Sequence, residues 1–110
     1  MKLIIAGSRT FTDYKKLYEA CDHILQDQTN IEIVSGACYK GGDKLGEQYA
    51  NERGYQITKF PADWKSYGKA AGPKRNIQMA NYSDGLIAFW DGKSKGTKHM
   101  IYLAKKENVK

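Results

Sequence analysis

Three loops of this chain combine small residues with groups that bind anions, and each loop follows a run of apolar residues. They cover residues 7–10, 35–43 and 91–97. Free backbone N–H groups at the start of a helix, together with the helix dipole, attract negative charge. The carboxyl ends of parallel strands meet at one edge of a sheet, where such folds bind ligands. The pattern therefore predicts a site for a phosphorylated small molecule.

The first loop contains Gly7, Ser8 and Arg9. Glycine lets a ligand approach the backbone, serine donates a hydrogen bond, and the planar guanidinium of arginine fits a phosphate or a carboxylate. The alternative interpretation is a tight turn between strand and helix that carries a solvated arginine.

The second loop only partly resembles a P-loop. Gly36 and Gly41 have nearly the spacing of GxxxxGK[ST], but Gly42 and Asp43 stand where the lysine and the hydroxyl residue are required. A Mg-nucleotide triphosphatase is therefore not indicated, and GxGxxG is absent as well. Asp43 either caps the following helix or contacts a ribose hydroxyl. Cys38 has no His–Asp pattern that would make it a nucleophile.

A fourth segment, residues 70–76, joins a loop to a helix that Pro73 is expected to open. Arg75 and Asn76 are predicted in the first turn of this helix. An arginine there opposes the helix dipole unless a bound anion offsets its charge. Trp64 and Tyr67, just upstream, are candidates for stacking on a base, and the alternative for Trp64 is packing against the fold.

These segments define the predicted ligand-binding residues. They are Gly7, Ser8, Arg9, Ser35, Gly36, Gly42, Asp43, Arg75, Asn76, Asp91, Ser94, Gly96 and Thr97. No catalytic residue is identified, because no acid–base or nucleophile set is complete. His23 and His99 lie far apart in the sequence without further ligands around them, so neither a metal ion nor another cofactor is expected.

The intervening segments predict one α/β domain over residues 1–110, with a mostly parallel sheet flanked by helices. Strands are predicted at residues 3–6, 31–34, 55–60 and 86–90. Helices are predicted at residues 12–27, 43–53, 73–82 and from 94–97 onward. Residues 61–72 are expected to form a long connection, and residues 108–110 to start an edge strand.

Composition limits the class of protein. No apolar run approaches the roughly 20 residues that cross a bilayer, and the first strand leaves no room for a secretion signal. The two cysteines lack metal-ligand or CxxC spacing, which is typical of a reducing, cytoplasmic compartment. Cys21 lies in an apolar helical stripe and is expected to be an inert core thiol.

The net charge is +6, from 18 basic and 12 acidic residues. A polynucleotide partner would explain this charge, but the basic residues are dispersed, and two of the denser patches fall on the proposed ligand loops. A polyanionic small ligand or simple solubility explains the charge equally well. Nucleic acid is therefore not the expected partner.

Four stretches of the chain carry a resemblance to a known family, in this order: AGSRTF, VSGACYKGGD, FPADWKSYGKAAGPKRNIQMA and LIAFWDGKSKGTKHMI. Their order resembles the YspA branch of the SLOG superfamily, which is related to the YpsA proteins of bacteria and their phages. The resemblance covers residues 1–104 and implies a Rossmann-like fold with a pocket for nucleotides or nucleotide-derived ligands, including ADP-ribose and NAD-type molecules. It also implies a homo-oligomer, and a role in nucleotide sensing, stress response or host–phage conflict.

The related enzymes of this superfamily are the LOG phosphoribohydrolases, which release bases from nucleoside monophosphates. Their RKxxM motif is similar to residues 75–79, with Asn76 in place of the lysine. Their PGGxGTxxE motif is similar to residues 92–100, where the Gly-Thr pair matches but Met100 replaces the glutamate. The resemblance thus implies a phosphate cradle without the LOG-type acid.

An acidic group is the expected stabiliser when a glycosidic bond breaks through a positively charged sugar. Asp43, Asp63 and Asp91 are the candidates that could replace the missing glutamate. His99, one residue away, is expected on the helix surface rather than as a general acid.

The first hypothesis is a non-catalytic binder of a nucleotide-derived signal, either ADP-ribose/NAD-related or a cyclic nucleotide, that acts as a sensor or a sequestering sponge. The alternative is a hydrolase that cleaves an N-glycosidic or phosphate bond of such a ligand. The third hypothesis is a nucleic-acid-binding module, by analogy with the DprA proteins of the same superfamily.

Overall fold

The computed structural model describes residues 1–37 and 41–106, and here strands alternate with helices. The elements are β1 (Lys2–Gly7), α1 (Tyr14–Leu25), β2 (Glu32–Ser35), α2 (Gly42–Arg53), β3 (Gln56–Lys59), α3 (Trp64–Tyr67), a 3₁₀ turn (Gly68–Ala70), α4 (Ala71–Tyr82), β4 (Gly85–Phe89) and α5 (Lys95–Lys106). The strands form a parallel sheet in the order β3-β2-β1-β4. The prediction of an α/β fold with a parallel sheet is confirmed.

Strand β1 lies at the centre of the sheet and is apolar on both faces, as expected for a parallel strand covered by helices on both sides. Leu3 and Ile5 pack with residues of α1 and α2, whereas Ile4 and Ala6 pack with residues of α4 and α5. The alternation of side chains along β1 therefore creates one core on each face of the sheet.

The strand order reverses at β1. The chain places β2 and then β3 on one side of β1, and returns to place β4 on the other side. In an open α/β sheet, ligands bind outside the carboxyl ends of the strands at such a reversal. The loops that follow β1 and β4 lie there.

Two local signals in the sequence set the ends of helices. Asp13 caps α1, its carboxylate accepting a hydrogen bond from the Lys16 N–H at 3.1 Å. Gly54 ends α2 in a left-handed conformation with φ of 73°. The capping role considered for Asp43 is wrong, because α2 begins at Gly42 and the residue before it, Gly41, is its N-cap without a side-chain bond.

The predicted long connection at residues 61–72 is wrong, since this segment contains α3, the 3₁₀ turn and the first residues of α4. Asp63 starts α3 by accepting a hydrogen bond from the Ser66 N–H at 3.1 Å. Proline is tolerated throughout the first turn of a helix, where no N–H needs an intrahelical acceptor, so α4 starts two residues before Pro73. Arg75 and Asn76 consequently lie in the second turn rather than in the first.

Two other predictions fall on residues outside the described part of the chain, namely the edge strand at residues 108–110 and the placement of Cys38. No helix in the described ranges is long and apolar enough to cross a membrane.

Helices α1 and α2 are joined by a cluster of polar groups around Asp22. The hydroxyl of the fully buried Tyr49 donates to Asp22 Oδ1 at 2.6 Å, and the Arg53 guanidinium donates to both Asp22 oxygens. Hydrogen bonds from Arg53 and then Tyr49 lower the pKa of Asp22. Beside this cluster, burial raises the pKa of the Cys21 thiol to about 12, which confirms the prediction of an inert core cysteine.

Replacing Tyr49 with phenylalanine should lower the free energy of unfolding by about 1 kcal/mol at pH 7. A lowered Asp22 pKa contributes stability above the unfolded value, and that contribution disappears as the pH falls through the folded value. The loss in Tyr49→Phe should therefore be smaller in acid, which urea denaturation at pH 7 and pH 3 would measure. Tyr102→Phe, an exposed change on α5, should leave stability unchanged at both pH values.

Candidate functional site

A cleft of about 960 Å³ opens at the carboxyl edge of the sheet. Its walls come from the loops after β1, β2 and β4, from the residues around the start of α3, and from the facing sides of α4 and α5. The size is within the range of small-molecule sites. The cleft lies at the reversal of strand order, where the fold predicts a ligand site.

Most of the predicted ligand-binding residues line this one cleft. They are Gly7, Ser8, Arg9, Gly36, Asp43, Arg75, Asn76, Asp91, Ser94, Gly96 and Thr97. The structure thus brings together residues that are up to 90 positions apart in the sequence.

Ser35 and Gly42 do not line the cleft. The buried Ser35 hydroxyl donates to Glu47 Oε2 at 2.6 Å and accepts from the Ala37 N–H at 3.0 Å. Ser35 therefore fixes the end of β2 against α2. Gly42 also has a packing role, described next.

The start of α2 lies directly against the end of β1. A Cβ atom on Gly42 would come within 2.5 Å of both the backbone nitrogen and the Cα of Gly7. Since those atoms are backbone, nothing can move aside cheaply. The two glycines therefore allow the first loop and the start of α2 to form one continuous wall.

The Asp43 carboxylate and the Arg75 guanidinium both lie against Gly36, the residue that follows β2. A Cβ on Gly36 would lie 2.7 Å from Asp43 Oδ2 and 2.6 Å from Arg75 Nη1, so a larger residue here would displace the ends of both side chains. The next residue, Ala37, has a φ of 59°, a left-handed conformation that costs a non-glycine residue roughly 1 kcal/mol. Backbone strain of this kind concentrates at functional sites.

A chain of hydrogen bonds crosses one wall of the cleft. Arg75 donates from Nη1 to the Gly36 carbonyl and from Nε to Asn76 Oδ1 at 2.9 Å. The buried Asn76 in turn donates from Nδ2 to the Gly96 carbonyl at 3.3 Å, and Nδ2 lies 3.4 Å from His99 Nδ1. The chain links the β2 loop through α4 to the start of α5, and so fixes their relative positions.

The loop before α5 is fixed by Asp91. Asp91 Oδ1 accepts hydrogen bonds from the N–H groups of Lys93 at 2.7 Å and Ser94 at 2.8 Å, which lower the pKa of Asp91. The Asp91 N–H donates to the Ser8 hydroxyl at 3.1 Å. Asp91 therefore stays ionised and ties the third loop to the first.

Of the acids that could replace the LOG-type glutamate, only Asp43 and Asp91 line the cleft. Asp63 is used in capping α3. The position of the missing glutamate is occupied by Met100, which is buried in the cleft wall.

Several residues that line the cleft are not among the predicted ligand-binding residues, including Thr10, Lys95 and His99. His99 was expected on the helix surface, but it is half-buried in the cleft wall beside Asn76. Gly96, His99 and Met100 are spaced i, i+3 and i+4, so they share one face of α5. That spacing is the signal that could have placed His99 in the site.

The fold is that of a Rossmann-like α/β protein with a cleft at the reversal of its strand order. The sequence pattern of the YspA, cpYpsA-related SLOG family (YAcAr) matches residues 1–67. The chain therefore belongs to this family, and the resemblance noted in the sequence is confirmed. Membership indicates a nucleotide-related ligand or a LOG-like role.

The chain is also similar to the Gene 61 protein of Mycobacterium phage D29. The two are 30% identical over 115 residues, which cover 98% of this chain and 91% of the phage protein. No solved structure gives a significant match.

Gly42, beside the cleft, and Gly96, in its wall, should differ in whether they can be replaced by alanine without loss of stability. Gly42→Ala should lower the free energy of unfolding by about 2 kcal/mol or more, because the new methyl group meets the Gly7 backbone. Gly96→Ala should leave stability unchanged or raise it by about 0.5 kcal/mol, because nothing lies within 4 Å of its Cβ position. Equal stability of the two variants in urea denaturation would contradict the close contact.

Proposed function

We propose that this protein binds a nucleotide or nucleotide-derived small molecule in the cleft, ADP-ribose/NAD-related or a cyclic nucleotide, and acts as a sensor or a sequestering sponge. The observation that supports this proposal most directly is the convergence of three anion-suited loops on one cavity at the strand-order reversal. Membership of a SLOG family is consistent with the same ligand class.

The cationic side of the cleft favours an anionic ligand. Arg9 and Lys95 are exposed and line the cleft, and in the described ranges neither side chain forms a hydrogen bond or an ion pair. The first turn of α5 adds backbone N–H groups and the positive end of the helix dipole. A phosphate bound here would contact a cationic side chain and the backbone N–H donors of α5.

One residue further along α5 favours binding over turnover. Met100 is 2% exposed, so the position of the LOG-type glutamate holds an apolar side chain. A methionine there gives no charge to stabilise a developing oxocarbenium ion. The protein should therefore retain its ligand intact.

One observation keeps a hydrolase as the second candidate. Asp43 presents a carboxylate in the cleft wall, close to the Arg75 guanidinium. An ionised carboxylate beside a bound ribose could stabilise a positively charged sugar. Analysis of ligand recovered after incubation distinguishes the two candidates.

The biological setting proposed here is the cytoplasm of a bacterial cell, in a host–phage conflict. The similar Gene 61 protein comes from a phage, which is compatible with a phage-encoded protein. A sponge in such a conflict would lower the free concentration of a nucleotide signal by stoichiometric binding.

We further expect copies of the chain to assemble. In the described part of the chain, β3 and β4 each pair with one neighbouring strand only, so two sheet edges are open to further contacts. Light scattering coupled to size-exclusion chromatography should give a multiple of the 12.4 kDa chain mass. A monomer at all concentrations would contradict the assembly.

Arg9→Ala should weaken nucleotide binding about tenfold to a hundredfold, because a charge-assisted contact to phosphate is lost. The melting temperature without ligand should not change, since Arg9 supports no other group in the described structure. Calorimetry and thermal shift with ADP-ribose, NAD, AMP and 3′,5′-cyclic AMP would measure both quantities.

Lys105→Ala is the matched control for this experiment. It removes the same charge from the exposed far end of α5, about 15 Å along the helix from Lys95. If none of the four compounds binds the natural protein, the proposed function is wrong. If a base or phosphate is released during incubation, the hydrolase replaces the binder.

A further inference from the structure

We propose that the indole of Trp64 is the surface on which the base of the ligand stacks. The inference rests on the proposed function and narrows its ligand class. The cleft would recognise an intact nucleoside unit through its aromatic base, rather than a sugar phosphate through its charge alone.

The first argument is that the Trp64 ring is open in the cleft. Its side chain lines the cleft and is 55% exposed. Within the described residues, the indole neither pairs with another aromatic ring nor donates a hydrogen bond through Nε1. In contrast, Trp90 Nε1 donates to the Ser94 carbonyl at 3.0 Å. Trp64 therefore keeps ring surface and an N–H donor available to a ligand.

The second argument is that Trp64 is held in position before any ligand arrives. A Cβ on Gly72 would lie 3.3 Å from Trp64 Cη2, so the glycine lets the end of the indole rest against α4. The Asp63 cap orders the turn that carries the ring. A rigid aromatic side chain loses little conformational entropy when a base stacks on it.

The third argument is the distribution of chemistry within the cleft. Around Trp64 the lining is apolar, with Pro61, Ala62 and Pro73, and these residues belong to the β3–α3–α4 part of the chain. Of the cationic residues that line the cleft, Arg75 on α4 is bonded to the Gly36 carbonyl, whereas Arg9 and Lys95 lie in the loop after β1 and in the first turn of α5. A nucleotide has the same division, with a flat apolar base at one end and anionic phosphate at the other. Stacking on aromatic rings tolerates every base, because each has a π face.

The test compares ligands with and without a base. Calorimetry would use ADP-ribose and AMP as the base-containing probes, and ribose 5-phosphate and inorganic pyrophosphate as the base-free probes. Trp64→Ala should weaken binding of ADP-ribose and AMP about 5-fold to 150-fold. It should leave the base-free probes unchanged, and Trp64→Phe should retain most of the affinity.

Tyr67→Ala is the matched control. It removes an equally exposed ring, 53% against 55%, from the same short helix, but from a position that does not line the cleft. Binding of ADP-ribose should be unaffected. An equal loss in Tyr67→Ala and Trp64→Ala would show that α3 must be ordered, and would overturn base stacking.

Fluorescence gives a second readout. The sequence contains two tryptophans, so Trp90→Phe leaves Trp64 as the only indole emitter. ADP-ribose should quench its emission, and ribose 5-phosphate should not. If natural protein binds base-free and base-containing probes equally well, the inference is wrong while the proposed function stands. If it binds none of the probes, both are wrong.

Discussion

The backbone contact between Gly7 and Gly42 is the constraint on which the shape of the cleft depends. It places the start of α2 against the end of β1 at a distance that no side chain permits. The same β1 loop is tied to β4, because the Ser8 N–H donates to the Phe89 carbonyl at 3.1 Å and the Ser8 hydroxyl accepts from Asp91. The ends of β1 and β4 and the start of α2 therefore meet beside one loop. The cleft results from this convergence.

The remaining wall depends on hydrogen bonds rather than on close packing. Arg75 and Asn76 connect the carbonyl groups of Gly36 and Gly96, which belong to the loop after β2 and to the first turn of α5. The neutral Asn76 accepts from Arg75 and donates onward, whereas a lysine at this position would only donate. Asparagine thus makes this wall a fixed structural link. Met100, which lines the same cleft, adds no charge to it.

The sequence predicted the parallel α/β fold and most of the residues that line the cleft, because both follow from local patterns. Apolar runs followed by glycine and serine identify the strands and the loops at their carboxyl ends. Ser35 lies outside the cleft because its hydroxyl bonds to Glu47, a contact between β2 and α2 that no local pattern encodes. Gly42 also lies outside the cleft, and sequence alone does not separate close packing from close approach of a ligand, because both require glycine. The start of α4 was misplaced because proline fits several positions of a first turn.

The central position of β1 also determines the order in which backbone amides should exchange with solvent deuterium. Its amides bond to neighbours on both sides of the strand, so their exchange with solvent deuterium requires disruption of the whole sheet. Helix α3 has no buried residue, and its amides can exchange through a local opening of low free energy. The side of the cleft formed by Gly7 is thus the last part of the protein to open, and the side formed by α3 is among the first.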